Sequence, residues 1–366
     1  MREPRSARKR LIARGVLFIA LAPLPGLEPA TRFVESAVEQ GQYTGAVTLI
    51  ARRGHIVQLA AHGYRDIARN SPMQTDAIFQ IYSMTKPITS VAVLQLMEAG
   101  QLTLEDPVSQ FLPEFAHLPR ITIRHLLAHT AGFAAGEKLS GAAVQRLNAA
   151  RLDESSSLAA YASGLAALPL ANDPGTFFSY DGVNTEVLAR VIEVVGGMPF
   201  DEFINKRVLA PLRMLDTGFS VPPDKRARIV EMTSTDKTGR LVAASGGPRP
   251  LGAMLKRYPS GAGGLYSTAG DYARFCQMLL NEGELDGARI LSRKSVELLM
   301  ATHPSNRPAG QFGWSGAAAT WFAIAPHEQL IAILMMQHLP RGLPHDPPRL
   351  GPPFIDLVYP ALADPR

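Results

Sequence analysis

The sequence is poor in cysteine, with a single thiol among 366 residues. One thiol excludes an intramolecular disulfide and any metal site built from several thiolates. Cys276 lies in the amphipathic stretch DYARFCQMLL, which favours a thiol packed on a helix over a nucleophile. The histidines offer one suggestive pair, His125 and His129, but Leu126 stands where the H-E-x-x-H zinc motif needs its glutamate. We therefore expect no metal or cofactor, and assign this pair to capping and packing.

The body of the chain also lacks an excess of charge of either sign. The formal net charge is +5, but residues 1–14 carry six Arg or Lys against one Glu, which accounts for the whole excess. Nucleic-acid binding requires a basic face on a folded domain, and here the basic residues are confined to a terminal tail. We expect no nucleic-acid partner.

No hydrophobic run is long enough to span a membrane. The longest candidate, GVLFIALAPLPGL, follows the basic tail but is short and is interrupted by two prolines. We treat residues 1–27 as a basic and apolar leader that resembles an export signal in part. Export, a membrane-surface tail and an irrelevant extension stay open, with a cytoplasmic location favoured; the oligomeric state is not readable.

The remaining sequence has the profile of a large globular core, at 46% hydrophobic and 19% charged residues. Two strand-like runs meet at Arg53-Gly54 and two more meet at Pro326, so each pair predicts a β-hairpin. Mostly helical patterns lie between them, including a buried helix from Ser83 to Gly100. A further helix is predicted at STAGDYARFCQMLLNEGEL, with Thr268 and Asp271 placed as a capping box. We predict an α+β fold in which residues 28–82 and 255–366 form a sheet domain flanked by helices. Residues 83–254 form an inserted, mostly helical domain.

Two S-x-x-K pairs raise the question of a nucleophile. Residues three apart lie on one helix face, so Lys86 can reach the Ser83 hydroxyl at the start of the buried helix. Burial favours the neutral amine of Lys86, and first-turn N–H groups can face a developing oxyanion. Ser234 and Lys237 share the spacing, but their polar stretch, with its K-T-G sequence, is typical of a hairpin tip. We interpret Ser234 and Lys237 as a chance match to the S-x-x-K spacing, without a catalytic role.

Tyr180 is the candidate general base. It follows a Pro-Gly turn and precedes a helix that Asn184 could cap. A neighbouring lysine cation would favour the phenolate, which could then accept a proton. On this segment alone, a tyrosine packed in the core is the better interpretation.

Several blocks taken together resemble the class C β-lactamase-like serine hydrolases, and more closely the family VIII carboxylesterases. They agree in order and spacing over roughly residues 28–362. The blocks are FQIYSMTKPITSVAVLQLMEAGQLTLEDPV, TIRHLLAHTAGF, PGTFFSYDGVNTEVLARVIEVVGG, PSGAGGLYSTAGDYARFCQMLLNEGEL and FGWSGAAATWFAIAPHEQLIAILMMQ. The resemblance implies a β-lactamase/penicillin-binding-protein-like fold with the active site in the cleft between the two domains.

The same resemblance implies a role for each matching residue. Ser83 would be the acylated nucleophile, Lys86 its activating partner, and Tyr180 the base that also protonates the leaving group. The backbone N–H groups of Ser83 and Ala317 would form the oxyanion hole. The third family motif falls on three residues that would bind substrate: Trp314, Ser315 and Gly316. A tryptophan packed at a strand start is the alternative interpretation of the first of these.

Two departures from the lactamase pattern bear on the substrate. Trp314 replaces a lysine that would pair with a β-lactam carboxylate, and Gly182 replaces an asparagine that would recognise an amide. A neutral ester needs neither group, so we expect a short-chain carboxylic ester as the small-molecule substrate. A β-lactamase, a D-alanyl peptide hydrolase and an acyltransferase remain alternatives, as does a catalytically idle sensor or scaffold of the same fold.

Overall fold

The computed structural model of the chain describes residues 18–19, 24–133, 145, 148–244, 250–301 and 310–362. Most of the predicted leader therefore lies outside the described residues. The strands are β1 (Phe18–Ile19), β2 (Gly45–Arg52), β3 (His55–Gly63), β4 (Phe79–Gln80), β5 (Thr233–Thr235), β6 (Leu241–Ala243), β7 (Tyr266–Ser267), β8 (Glu284–Leu285), β9 (Ala288–Arg289), β10 (Phe312–Ser315), β11 (Trp321–Ala325) and β12 (Leu330–Met335). The α-helices are α1 (Glu28–Glu39), α2 (Thr85–Glu98), α3 (Ile123–Leu127), α4 (Leu158–Ala166), α5 (Val183–Gly196), α6 (Phe200–Ile204), α7 (Ala269–Leu280), α8 (Arg293–Ala301) and α9 (Gly351–Val358).

One sheet joins the two ends of the chain. Its strand order in the described residues is β1-β3-β2-β12-β11-β10, and all neighbours are antiparallel except β1 and β3. Both predicted hairpins, β2-β3 and β11-β12, are present. Arg53 and Gly54 have φ angles of +52° and +80°, and positive values at both central positions are what a two-residue type I′ turn requires. The prediction of an α+β fold with an antiparallel sheet built from both termini is confirmed.

The sheet is covered on both faces, as the alternation along β2 shows. Val47 and Leu49 belong to the core between the sheet and the helical region, whereas Ala46 and Ile50 pack on the opposite face under α1 and α9. Successive strand residues point to opposite faces, so a strand that is apolar at nearly every position is buried on both. β2 and β12 are therefore buried central strands of the sheet.

The predicted buried helix is α2, preceded by a single 3-10 turn at Tyr82–Met84. Eleven of the 14 residues of α2 are buried, and the chain leaves the helix at Gly100, where φ is +68°. Ser83 lies in the 3-10 turn and not in the α-helix itself, because Tyr82 takes a left-handed φ of +44°. The first regular helical residue is thus Thr85.

Two capping predictions need correction. Thr268 accepts a hydrogen bond from the Asp271 N–H as expected, but the Asp271 carboxylate accepts from the Asp216 N–H and the Thr217 hydroxyl instead of closing a capping box. Asn184 does not cap α5: it lies inside the helix. The first error arises because a distant segment binds the Asp271 carboxylate. The second arises locally, because Asp181, three residues before Asn184, accepts the Asn184 N–H at the start of α5.

The second S-x-x-K pair occupies the short β5-β6 hairpin, whose tip holds the K-T-G sequence. The Ser234 hydroxyl is buried and donates to the Leu339 carbonyl at 2.9 Å. Lys237 is exposed at the tip. Nothing desolvates this lysine, so its surroundings differ from those of Lys86.

In the part of the chain that the structure describes, none of the helices combines the length and the apolar character needed to cross a membrane.

Candidate active site

The candidate nucleophile, Ser83, is half-buried and lines a cleft of about 710 Å³. The turn that carries it is fixed from behind, because the Tyr272 hydroxyl donates to the Met84 carbonyl at 2.9 Å. The left-handed Tyr82 immediately before it is a strained conformation for a non-glycine residue, and strain of this kind clusters at functional sites. The backbone thus presents the Ser83 hydroxyl in the cleft at the N-terminal end of a buried helix.

Lys86 lies one turn further on and is only 4% exposed. Its Nζ donates to Ser83 Oγ at 3.2 Å and to the Ala262 carbonyl at 2.9 Å. The amine is therefore held within proton-transfer distance of the serine by a carbonyl from a distant segment. The contact that the S-x-x-K spacing predicted between the two side chains is present, and the catalytic roles of both residues stay a prediction.

The segment that supplies this carbonyl is tied to α2 by hydrogen bonds on both sides of it. The Thr89 hydroxyl donates to the Gly261 carbonyl at 2.8 Å, and the Thr85 hydroxyl accepts from the Leu265 N–H at 3.2 Å. Gly264 permits the tight turn between them, because a Cβ there would lie 2.8 Å from the Ser260 carbonyl oxygen. The glycine-rich PSGAGG stretch is thus shaped to place one acceptor on the lysine.

Tyr180 lies between two ring systems at the side of the cleft. Its ring centroid is 4.8 Å from that of His129 and 5.9 Å from that of Trp314. The Trp314 indole N–H donates to the Tyr180 hydroxyl at 3.1 Å, and Lys86 Nζ lies 5.1 Å from the centre of the tyrosine ring. At 38% exposure Tyr180 is not a packed core residue, so that alternative is wrong.

The Trp314-Ser315-Gly316 motif lies where β10 ends. Gly316 packs directly on the turn that precedes Ser83, since a Cβ at this position would lie 2.5 Å from the Ile81 carbonyl oxygen. Ala317 follows and is exposed. The motif therefore lies beside the candidate nucleophile. The oxyanion-hole role of the two N–H groups stays a prediction.

Asp181 is a site residue that sequence reasoning missed. Its carboxylate is buried beside Tyr180, and Oδ1 accepts from the Asn184 backbone N–H at 3.1 Å and from its amide at 2.7 Å. Burial raises the pKa of Asp181 to about 6, although the Asn184 hydrogen bonds and the charge of Lys86 oppose the shift. The sequence did contain a signal for it, because Asp181 is an acidic residue between Tyr180 and Gly182, both of which were singled out.

His129 was also missed as part of the site. It is 5% exposed, takes a left-handed φ of +55°, and its carbonyl accepts from the Ser179 N–H at 2.9 Å. His125 forms a capping box with Thr122, as the capping interpretation predicted. Within the described residues, no group of three or more His, Cys, Asp or Glu side chains could hold a metal ion.

A second ammonium group, that of Lys256, lines the cleft. It is bound to Asp153 at 2.7 Å, to Glu186 at 3.1 Å and to the Tyr258 hydroxyl at 3.2 Å. Burial opposes its charge, but Glu186 and Asp153 raise the pKa of Lys256 overall. Because two carboxylates neutralise this ammonium, it offers little net attraction to an anionic ligand.

Residues 30–350 match the family described as beta-lactamase. The chain belongs to the beta-lactamase family. It is 33% identical over 364 residues to an uncharacterized protein of Mycobacterium tuberculosis, covering 84% of this chain and 89% of that protein. It is 32% identical to Esterase EstB of Burkholderia gladioli, covering 66% of each chain.

The fold is also found in solved structures of other proteins. EstCE1, described as a hydrolase with promiscuous acyltransferase activity, aligns with a TM-score of 0.75 at 24% identity over 91% of this chain and 98% of its own. The predictions of a β-lactamase-like serine hydrolase and of a β-lactamase/penicillin-binding-protein-like fold are thereby confirmed.

Proposed function

We propose that this member of the beta-lactamase family is a serine carboxylesterase that cleaves short-chain acyl esters through an acyl-enzyme on Ser83. The observation that carries the proposal is the unbroken series of contacts in the cleft. Trp314 donates to Tyr180, Lys86 lies over the Tyr180 ring, and Lys86 Nζ contacts Ser83 Oγ at 3.2 Å. An idle scaffold has no need to bring these groups together in a solvent-accessible cleft.

The proposed reaction has two halves. In acylation, Lys86 and Tyr180 take the proton from Ser83 Oγ, which attacks the ester carbonyl and forms a tetrahedral oxyanion held by backbone N–H groups. Tyr180 then delivers the proton to the oxygen of the departing alcohol, and the acyl group stays on Ser83. In deacylation, water attacks the acyl-enzyme, releases the carboxylic acid and restores the Ser83 hydroxyl.

A neutral ester suits the cleft better than a β-lactam carboxylate. Trp314 stands where a lactamase carries a cationic lysine, and the ammonium of Lys256 is already bound by Asp153 and Glu186. The buried Asp181 adds further negative charge near the nucleophile when it is ionised. The similarity to Esterase EstB also supports ester hydrolysis.

The test uses two serine variants that share the S-x-x-K spacing. We expect Ser83→Ala to abolish hydrolysis of 4-nitrophenyl acetate and labelling by a fluorophosphonate probe, because the nucleophile is lost. Ser234→Ala is the matched control, since its hydroxyl donates to a carbonyl in the hairpin, and we expect its rate within about twofold of wild type. Turnover retained by Ser83→Ala would refute the assignment. A cephalosporin tests the β-lactam alternatives: its continuous hydrolysis indicates a β-lactamase, and a stable stoichiometric adduct in the intact mass indicates a penicillin-binding D-alanyl peptide hydrolase.

A further inference from the structure

Large exposed apolar side chains are concentrated at the candidate active site. Four of them form what we call the apolar rim: Phe177 and Phe178, each 46% exposed, Leu251, 58% exposed, and Met254, 36% exposed. They come from two segments far apart in sequence, one directly before Tyr180 and one that lines the cleft. Scattered exposed apolar residues need no explanation, but a cluster beside a cleft marks a binding surface.

Both segments of the rim are continuous with the candidate catalytic residues. The Phe178 ring lies 6.3 Å from that of His129, which in turn lies 4.8 Å from that of Tyr180. Leu251 lines the same cleft as Ser83. The rim is therefore joined to the cleft at Leu251 and, through His129 and Tyr180, at Phe178.

The chemistry of the reaction indicates which part of an ester meets the rim. In the proposed mechanism Tyr180 protonates the departing alcohol, so the alcohol oxygen must lie next to the Tyr180 hydroxyl. Phe177 and Phe178 precede Tyr180 by three and two residues, and the Phe178 ring packs on His129, which packs on Tyr180. The group attached to that oxygen is thus directed toward aromatic side chains.

We propose that the substrate is an ester whose alcohol carries a bulky apolar group, and that this group rests on the apolar rim. The inference deepens the proposed esterase function and rests on it. Removal of this apolar surface from water on binding supplies affinity that a small alcohol cannot obtain. The acyl group is held separately at Ser83.

Two esters that yield the same acetyl-enzyme provide the test. The esters are ethyl acetate and 2-naphthylmethyl acetate. Both carry the same acetyl group, and kcat/KM reports the steps through acylation, so the ratio of their kcat/KM values compares the two alcohols. We expect wild type to favour the naphthylmethyl ester, and Phe177→Ser to reduce the ratio about fivefold, since half a phenylalanine of contact is lost. We expect a larger reduction in the Phe177→Ser, Leu251→Ser double variant.

Val194→Ser is the matched control, because Val194 is 40% exposed near the C-terminal end of α5, outside the cleft. We expect it to leave the ratio unchanged. A wild-type ratio near one, or a ratio that Phe177→Ser does not alter, overturns the proposal.

Two other occupants of the rim have their own signatures. If the double variant keeps the wild-type ratio but no longer binds phosphatidylcholine vesicles, the rim contacts a lipid surface. If it keeps the ratio but no longer self-associates in light scattering, the rim contacts a second copy of the chain. Either result overturns the inference. Fluorophosphonate labelling of Ser83 distinguishes a failure of the rim proposal from a failure of the proposed esterase function. An unaltered ratio with normal labelling overturns only the role of the rim, whereas the absence of labelling and of hydrolysis of both esters overturns the esterase function itself.

Discussion

Replacing Asp181 with asparagine should change how the stability of the protein depends on pH. The side chain is 3% exposed, and burial raises its pKa from 3.8 to about 6. The folded state therefore binds the proton more tightly than the unfolded chain does. The stabilisation that this gives is fully present below pH about 4, and it is lost as the pH rises through about 6.

The magnitude follows from the size of the shift. A difference of about two pKa units corresponds to about 3 kcal/mol of differential stability between the protonated and ionised carboxyl. The free energy of unfolding of Asp181→Asn, minus that of wild type, should therefore rise by about 3 kcal/mol between pH 4 and pH 7. Above pH 7 the difference should be constant, because the carboxyl is fully ionised in both states.

Reversible urea unfolding at a series of pH values measures this difference. Asp173→Asn serves as the control, since that carboxylate is 65% exposed in a surface ion pair with Arg120 and should contribute about 0–1 kcal/mol. Parallel pH profiles for wild type and Asp181→Asn would show that the carboxyl is not desolvated as described. A wild type that gains stability relative to the variant as the pH rises would reverse the sign and refute the reasoning.

Two further predictions concern the neighbours of the candidate nucleophile. Trp314→Phe keeps an aromatic ring but removes the N–H that donates to Tyr180 at 3.1 Å. Loss of a hydrogen bond to a group that carries charge during catalysis costs about 1.5 kcal/mol, so kcat for 4-nitrophenyl acetate should fall about tenfold. A change in KM with kcat unaltered would instead show that Trp314 contacts the substrate but does not support Tyr180 in catalysis. Gly316→Ala places a Cβ against the Ile81 carbonyl, which should displace the turn and lower kcat/KM about 10²-fold. Wild-type kinetics in this variant would show that the close packing of Gly316 on the turn is not needed for the oxyanion hole.

Local patterns in the sequence were sufficient for several elements. The Arg53-Gly54 pair predicted its hairpin because two positive φ angles are a property of the turn itself. The apolar run after Ser83, closed by Gly100, predicted α2 for the same kind of reason. The 3-10 turn that continues into this helix also brings Lys86 to the serine, since residues three apart share a helix face. These features depend on neighbours in the sequence and need no knowledge of the rest of the fold.

Other features depended on contacts between distant segments. The Asp271 carboxylate was expected to close a capping box, but Asp216 and Thr217 took it. The error at Asn184 is different in kind, because Asp181, only three residues before it, accepts both its backbone N–H and its side-chain amide. A short polar side chain can satisfy its hydrogen bonds in several ways, and only the packed structure selects among them.

The sequence by itself determined the hairpins, the buried helix and the pairing of Ser83 with Lys86. Tertiary structure alone decided that the Ala262 carbonyl holds Lys86 and that Trp314 meets Tyr180 across 134 residues of chain. It also decided how deeply Asp181 is buried. The physical reason is one of range: dihedral preferences and helical periodicity act over a few residues, whereas desolvation and hydrogen bonding across a cleft depend on which segments the folded core brings together.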